Sequence, residues 1–274
     1  MLRSFSFPCS LHHWLAGCLL LTAGFLTAQS DSTVIHRELS GTISATHNGI
    51  SIIPSFSLDK PALIINLKMG GSRFTFEPDL RMALEGKPWS MLFWGRYQAV
   101  RGRRFSLRLG AHPAINFRTV MAQVGGEFRE VIETRRYLAS EIVPNFRVSP
   151  HLSVGMYYLH GRGLDEGIKV SNFVQLNAAR TGIPLFRELQ LDLFPQFYYL
   201  RTDDLDGTYV AGAWRIRKPN FPVAISGLVN RSLRTEIAPE RKWIWNIVVE
   251  YHIAAGRWTV PNRQPLDGFK PSNG

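Results

Sequence analysis

Apolar side chains recur at every second position through most of this chain, and polar or charged ones fill the positions between. Residues 74–82 show it plainly: Phe74, Phe76, Pro78, Leu80 and Met82 alternate with Thr75, Glu77, Asp79 and Arg81. The stretch 105–117 does the same with Phe105, Leu107, Leu109, Ala111, Pro113, Ile115 and Phe117 on one side. In 243–253 the row is Trp243, Trp245, Ile247, Val249, Tyr251 and Ile253, opposite Asn246, Glu250 and His252. A period of two belongs to a strand, and no helical period competes with it. Alternating segments at 50–58, 63–69, 74–82, 89–97, 105–117, a long return ending at 148, 152–158, 174–178, 189–199, 210–216, 221–229 and 243–253 predict twelve strands. Turn residues punctuate them, among them Gly70-Gly71, Glu85-Gly86-Lys87-Pro88, Gly125-Gly126 and Ser149-Pro150. Residues 50–253 are therefore the predicted sheet domain. Residues 31–49 are read as an N-terminal periplasmic or luminal segment, and 254–274 as a C-terminal tail.

Such strands could pack apolar faces inward in a secreted soluble β-sandwich, or turn them outward in a transmembrane β-barrel. Three features favour an up-and-down antiparallel barrel. The strand number is even, as in single-chain bacterial barrels. Charges occupy mid-strand positions that a sandwich core could not accept unpaired. Aromatic rings fall near strand ends, as interfacial girdles require. If the first strand rises from the periplasm, Trp89 and Trp243 lie at the outer interface and Tyr97 and Tyr251 at the inner one, with Trp214 as a further interfacial ring. The predicted lumen lining is Arg73, Glu77, Asp79, Arg81, Arg96, Arg104, Arg108, His112, Glu141, Asp192, Arg215 and Glu250.

Composition adds a location. The first thirty residues have a signal-peptide pattern, with Arg3, an apolar run from 15 to 26, and the small-x-small site Ala28-Gln29-Ser30. Both cysteines, Cys9 and Cys18, fall inside it, so the predicted exported chain has no disulfide framework. Leu15-Ala16-Gly17-Cys18 resembles a lipobox, but the apolar run continues past Cys18, which favours ordinary cleavage. After residue 30 no apolar run reaches the ~20 residues of a helical span, so strands must do any crossing. The net charge of +11 comes mostly from dispersed Arg, which suits a lumen or lipid headgroups and argues against nucleic acid as a partner.

Candidate chemistry is sparse. His160 and Asn172 share the outward parity beside a loop, as do the base and orienting group of a barrel phospholipase, but the nucleophile position holds Arg162. His112 stands alone on the lumen face, and Asp203-Asp204-Leu205-Asp206-Gly207 lacks the rest of a calcium loop. No catalytic residue, cofactor or metal site is assigned. The luminal charges either pair and fill a narrow interior or line a narrow pore whose excess Arg favours anions.

Over nearly all of residues 31–274 the chain resembles outer-membrane β-barrel proteins, in particular uncharacterised Bacteroidota barrels of about twelve strands. The wording that carries this is Asn48-Gly49-Ile50-Ser51, Phe74-Thr75-Phe76-Glu77-Pro78-Asp79-Leu80-Arg81, Glu85-Gly86-Lys87-Pro88-Trp89-Ser90 and Gly163-Leu164-Asp165-Glu166-Gly167. The resemblance implies fold and location and brings no activity. The segment 246–253 also looks like the signal read by the barrel-assembly machinery, with Asn246, Tyr251 and Ile253 in place and Val248 where glycine is usual. The expectation is a monomeric outer-membrane barrel in contact with outer-membrane lipid, with a structural or narrow channel role. A lipid- or envelope-modifying enzyme is the alternative.

Overall fold

A computed structural model of the chain describes residues 35–260. The predicted signal peptide, Cys18 and the last fourteen residues lie outside that range. The described residues form twelve antiparallel strands, β1 (Ile35–Thr46), β2 (Ala62–Gly70), β3 (Phe74–Ala83), β4 (Pro88–Arg101), β5 (Phe105–Val124), β6 (Glu127–Ser149), β7 (Leu152–Gly163), β8 (Val170–Pro184), β9 (Gln190–Thr202), β10 (Leu205–Arg217), β11 (Val223–Thr235) and β12 (Trp243–Val260). Each pairs with the next in sequence, and β1 meets β12, so the sheet is a closed barrel without edges. This excludes the soluble sandwich.

Alternation sets which side chains point out. The odd-numbered row of β12 from Trp243 to Ile253 is exposed throughout, as are Phe105, Leu109, Leu138, Ile142, Leu176, Phe197 and Ile225 on other strands. The opposite rows hold small or polar residues, including Ser44, Thr46, Ala62, Ser90 and Asn230, all buried. A continuous exposed apolar surface on this scale is what a barrel presents to lipid. Connections at one end of the barrel have two to five residues. The three longest, residues 47–61, 164–169 and 236–242, all lie at the other end.

The first strand differs from expectation. Residues 35–46 form β1, whereas 50–58 are not a strand but a loop with one 3-10 turn at Pro54–Phe56. The pattern of β1 is weak because its interior row, Ser40, Thr42, Ser44 and Thr46, is small and only mildly polar. Of the apolar residues in 50–58, the out-of-phase Ile53 packs inside the lumen with Phe56 while Ile52 stays exposed, and Pro54 at the start of the turn suits a helical φ better than a ladder. At the other end β12 continues past Ile253 to Val260, into the predicted tail.

Four outward prolines within strands have a structural consequence. Beside Pro78 the β2–β3 ladder skips from Asn66↔Asp79 to Met69↔Phe76. Beside Pro113 the β4–β5 ladder skips from Leu92↔Ala114 to Gly95↔Ala111. Pro144 and Pro195 sit at the same kind of gap, in β6–β7 and β8–β9. The ladder on the other side of each proline stays continuous. A missing N–H costs only the bond on the side it would have faced.

Candidate functional site in the barrel lumen

The half of the lumen nearest the short turns is ionic. Gly110 makes room on β5, where a Cβ would stand 2.8 Å from Glu141 Cγ. Glu141, 1% exposed, fills that space and accepts from Arg96 Nε and Arg108 Nε, each at 2.9 Å. Arg96 also pairs with Glu77, which accepts from Thr75 Oγ1 at 2.8 Å. Arg81 grips Asp79 through both carboxylate oxygens, at 2.9 and 2.6 Å. On the opposite wall Arg217 donates to Asp192 at 2.9 Å, and the backbone N–H of Gly182 donates to the other oxygen at 2.7 Å. Glu250 accepts from Ser226, lies 3.1 Å from Arg215 and has His252 at 3.4 Å. Each of these five carboxylates therefore has an arginine, the arrangement that buried charge requires, whereas Glu38 at the short-turn mouth forms no salt bridge among the described residues.

The half nearest the long loops is apolar on the side of β8, β9 and β10, whereas on the side of β5 and β6 it carries Asn116, Arg118 and Arg135. Phe173, Tyr198, Leu200, Tyr209 and Ala211 from β8, β9 and β10 pack with Ile237 of the β11–β12 loop and with Ile53 of loop 47–61. Tyr198 and Tyr209 stack at 4.7 Å, and Asn230 Nδ2 donates to the Tyr198 hydroxyl at 2.6 Å. Phe56 descends from the same loop onto Tyr137, with ring centroids 4.9 Å apart. Loop 47–61 is thus a plug, and it is tied down. Trp89 Nε1 donates to Phe56 O at 2.8 Å, Arg241 holds Asp59 through two bonds of 2.6 and 2.9 Å, and Gly49 N donates to Lys60 O at 2.9 Å.

Trp89 corrects the expected outer girdle. It is 2% exposed, lies under the Arg81 guanidinium at 5.3 Å and sits inside the barrel. The cause is a bulge: β3–β4 pairing passes from Arg81↔Ser90 to Met82↔Pro88, so Trp89 is the extra residue and turns inward beside Ser90. Parity counting cannot see such a slip. Tyr97, Trp243 and Tyr251 are exposed on the outward face. Trp214 is half-buried there and lies over Gly227, whose Cβ would come within 2.7 Å of the indole.

The remaining luminal candidates divide by height. Arg73 and Arg104 lie at the rim of the short-turn end, with Arg73 Nη1 donating to Tyr97 at 3.4 Å. His112 is buried against Trp94 at 4.0 Å, and its Nδ1 has no partner. Arg217, the partner of Asp192, shares the luminal parity of Arg215 but lies outside the predicted lining, as do the plug residues.

Below the plug a cavity of about 350 Å³ is lined by Phe56, Trp94, His112, Tyr137 and Tyr157. A recess of about 570 Å³ opens at the short-turn end, lined by Glu38, Lys68, Arg73, Arg101, Glu77, Arg96 and Arg108. Among the described residues Lys68, Arg73, Arg101 and Arg104 form no salt bridge and neither does Glu38, so the cations outnumber the one unpaired carboxylate and the net charge at this mouth is positive. On the outward face Asn172 Oδ1 accepts from Tyr158 Oη at 2.9 Å and from His160 Nδ1 at 3.0 Å. Arg162 occupies the place a nucleophile would need. No group of three or more potential metal ligands clusters among the described residues.

The fold is a closed, twelve-stranded antiparallel β-barrel with an apolar exterior. Similar solved structures include an outer membrane channel from Pseudomonas putida F1, 12% identical, with 82% of this chain and 98% of that one covered and a TM-score of 0.42. LpxR from Salmonella typhimurium is likewise 12% identical, covering 78% and 99%, with a TM-score of 0.44. The β domain of the Bordetella autotransporter BrkA is 8% identical over 80% and 99%, with a TM-score of 0.41. No family model and no curated protein matches the sequence.

Proposed function

We propose that the protein is a monomeric integral barrel of the outer membrane, of the Bacteroidota type, with its long loops outside. Its lumen is a narrow, anion-favouring pathway held shut by loop 47–61. The carrying observation is the charge balance: the deeper luminal carboxylates are each neutralised by arginine, and at the short-turn mouth the unpaired cations Lys68, Arg73, Arg101 and Arg104 outnumber the one unpaired carboxylate, Glu38. A ring of fixed positive charge against low-dielectric walls concentrates anions and repels cations. The plug contributes the closure, since Ile53 and Phe56 fill the apolar half where an ion would find no solvation. Outer-membrane lipid is the proposed surround and the barrel-assembly machinery the proposed inserter.

Single-channel recording in planar bilayers tests this. The parent is expected to show little conductance, and a variant with residues 50–57 replaced by a short Gly-Ser linker to conduct, with a reversal potential in a KCl gradient that favours chloride. A silent variant that has demonstrably inserted, or one that favours potassium, overturns the pathway.

A further inference from the structure

The outward face carries a polar island at the long-loop edge of its apolar band. Register aligns His160 of β7 with Asn172 of β8, Asn172 with Arg201 of β9, and Arg201 with Asp206 of β10. These four side chains form a lateral row with neighbours about 5 Å apart. Arg162 stands one outward position beyond His160 and is exposed. Towards mid-barrel a row of Tyr158, Val174, Tyr199 and Thr208 comes next, and beyond it the surface is apolar, with Leu176, Phe197 and Val210 all exposed.

The island holds two exposed guanidiniums, Arg162 and Arg201, beside Asp206 and the acidic turn at Asp203 and Asp204, with the Asp203 carboxylate accepting from the backbone N–H groups of Lys169 and Val170. Asp206 is engaged by the Tyr199 hydroxyl at 3.2 Å and by Arg234 at 3.8 Å. Arg201 has Asp204 at 3.9 Å, but that carboxylate is fully in solvent, and its Nε donates to Asp203 O at 3.0 Å. Arg162 forms no salt bridge among the described residues. Because Asn172 Oδ1 accepts from Tyr158 and His160, the amide is oriented and its Nδ2 remains available as a donor. Two guanidiniums and an oriented amide donor above a hydrocarbon-like surface match a phosphate attached to acyl chains.

We propose that this island binds the phosphorylated headgroup of a membrane lipid, with the acyl chains lying over Leu176, Phe197 and Val210. It rests on the membrane-spanning reading, and is independent of whether the lumen conducts. It also gives the His160 and Asn172 pair a binding role in place of a catalytic one.

The test is reconstitution into phosphatidylcholine nanodiscs holding 10 mol% phosphatidic acid, followed by native mass spectrometry of the lipid retained on the barrel. The parent is expected to retain phosphatidic acid several-fold above its bulk fraction. Each cation near an anionic lipid is worth a factor of about five, so Arg162→Gln with Arg201→Gln should bring retention down to bulk. Arg129→Gln, on the exposed β5–β6 tip, should leave it unchanged. Retention abolished by 10 mM inorganic phosphate would show a free-anion site and overturn the lipid assignment, as would equal retention by parent and double variant. Failure of the parent to enter nanodiscs would overturn both this inference and the membrane reading. Entry without enrichment would overturn this inference alone.

Discussion

Glu141→Gln is the sharpest perturbation of the lumen. Glu141 is almost wholly enclosed and is the shared acceptor of Arg96 and Arg108. Removing one partner of a buried pair costs roughly 3 to 5 kcal/mol, because a charge is left without compensation. Two features place the loss at the lower end. Arg96 keeps Glu77, and the Arg108 side chain is 38% exposed, so water screens much of its charge. The expected loss is about 3 kcal/mol. Urea unfolding from lipid vesicles, followed by tryptophan fluorescence, reads it; with a slope of ~3 kcal/mol per molar the midpoint falls by about 1 M. Glu141→Leu combined with Arg96→Met, Arg108→Met and Glu77→Gln, which removes the other partner of Arg96 as well, should recover most of that stability, since an apolar or neutral replacement of a whole buried network is often neutral. If the single variant unfolds at the parent's midpoint, or the quadruple variant is the weaker of the two, the ionic layer is not what holds these strands.

Val249→Arg places a charge on the outward face of β12, where Val249 is 50% exposed, and should cost about 2 to 4 kcal/mol at mid-bilayer. Unchanged insertion and heat resistance would mean that this strand faces the other way. Asp165, in the loop after β7, is pulled down to about 2 by hydrogen bonds from the Arg136 side chain and backbone. A depressed folded value means that this clasp contributes fully above the ordinary 3.8 and is lost as the pH falls through about 2. In Arg136→Gln the Asp165 carboxyl should titrate nearer 3.8, as read by carbon NMR, and an unshifted titration would remove Arg136 as the cause.

Much of this molecule is local in origin. A period of two, repeated between turn signals, determines strands, and charge in mid-strand determines that the two faces meet different surroundings. That is why strand number, the antiparallel meander and the two faces of β12 were legible in the chain. What local pattern cannot carry is the choice between equally alternating segments. Residues 35–46 and 50–58 compete for the first place, and only closure against β12 and β2 seats the former and frees the latter to enter the lumen. Trp89 is the same lesson at one residue, because a bulge reverses a side chain without changing the composition around it. Contacts between elements that are not ladder neighbours, such as Arg96 of β4 with Glu141 of β6 and Ile53 of the plug with Phe173 of β8, are brought together by barrel closure and stagger, which depend on several registers at once. The sequence by itself determined a barrel with a charged interior and an apolar exterior. The tertiary structure alone decided which loop plugs it, which charges neutralise one another and which remain free.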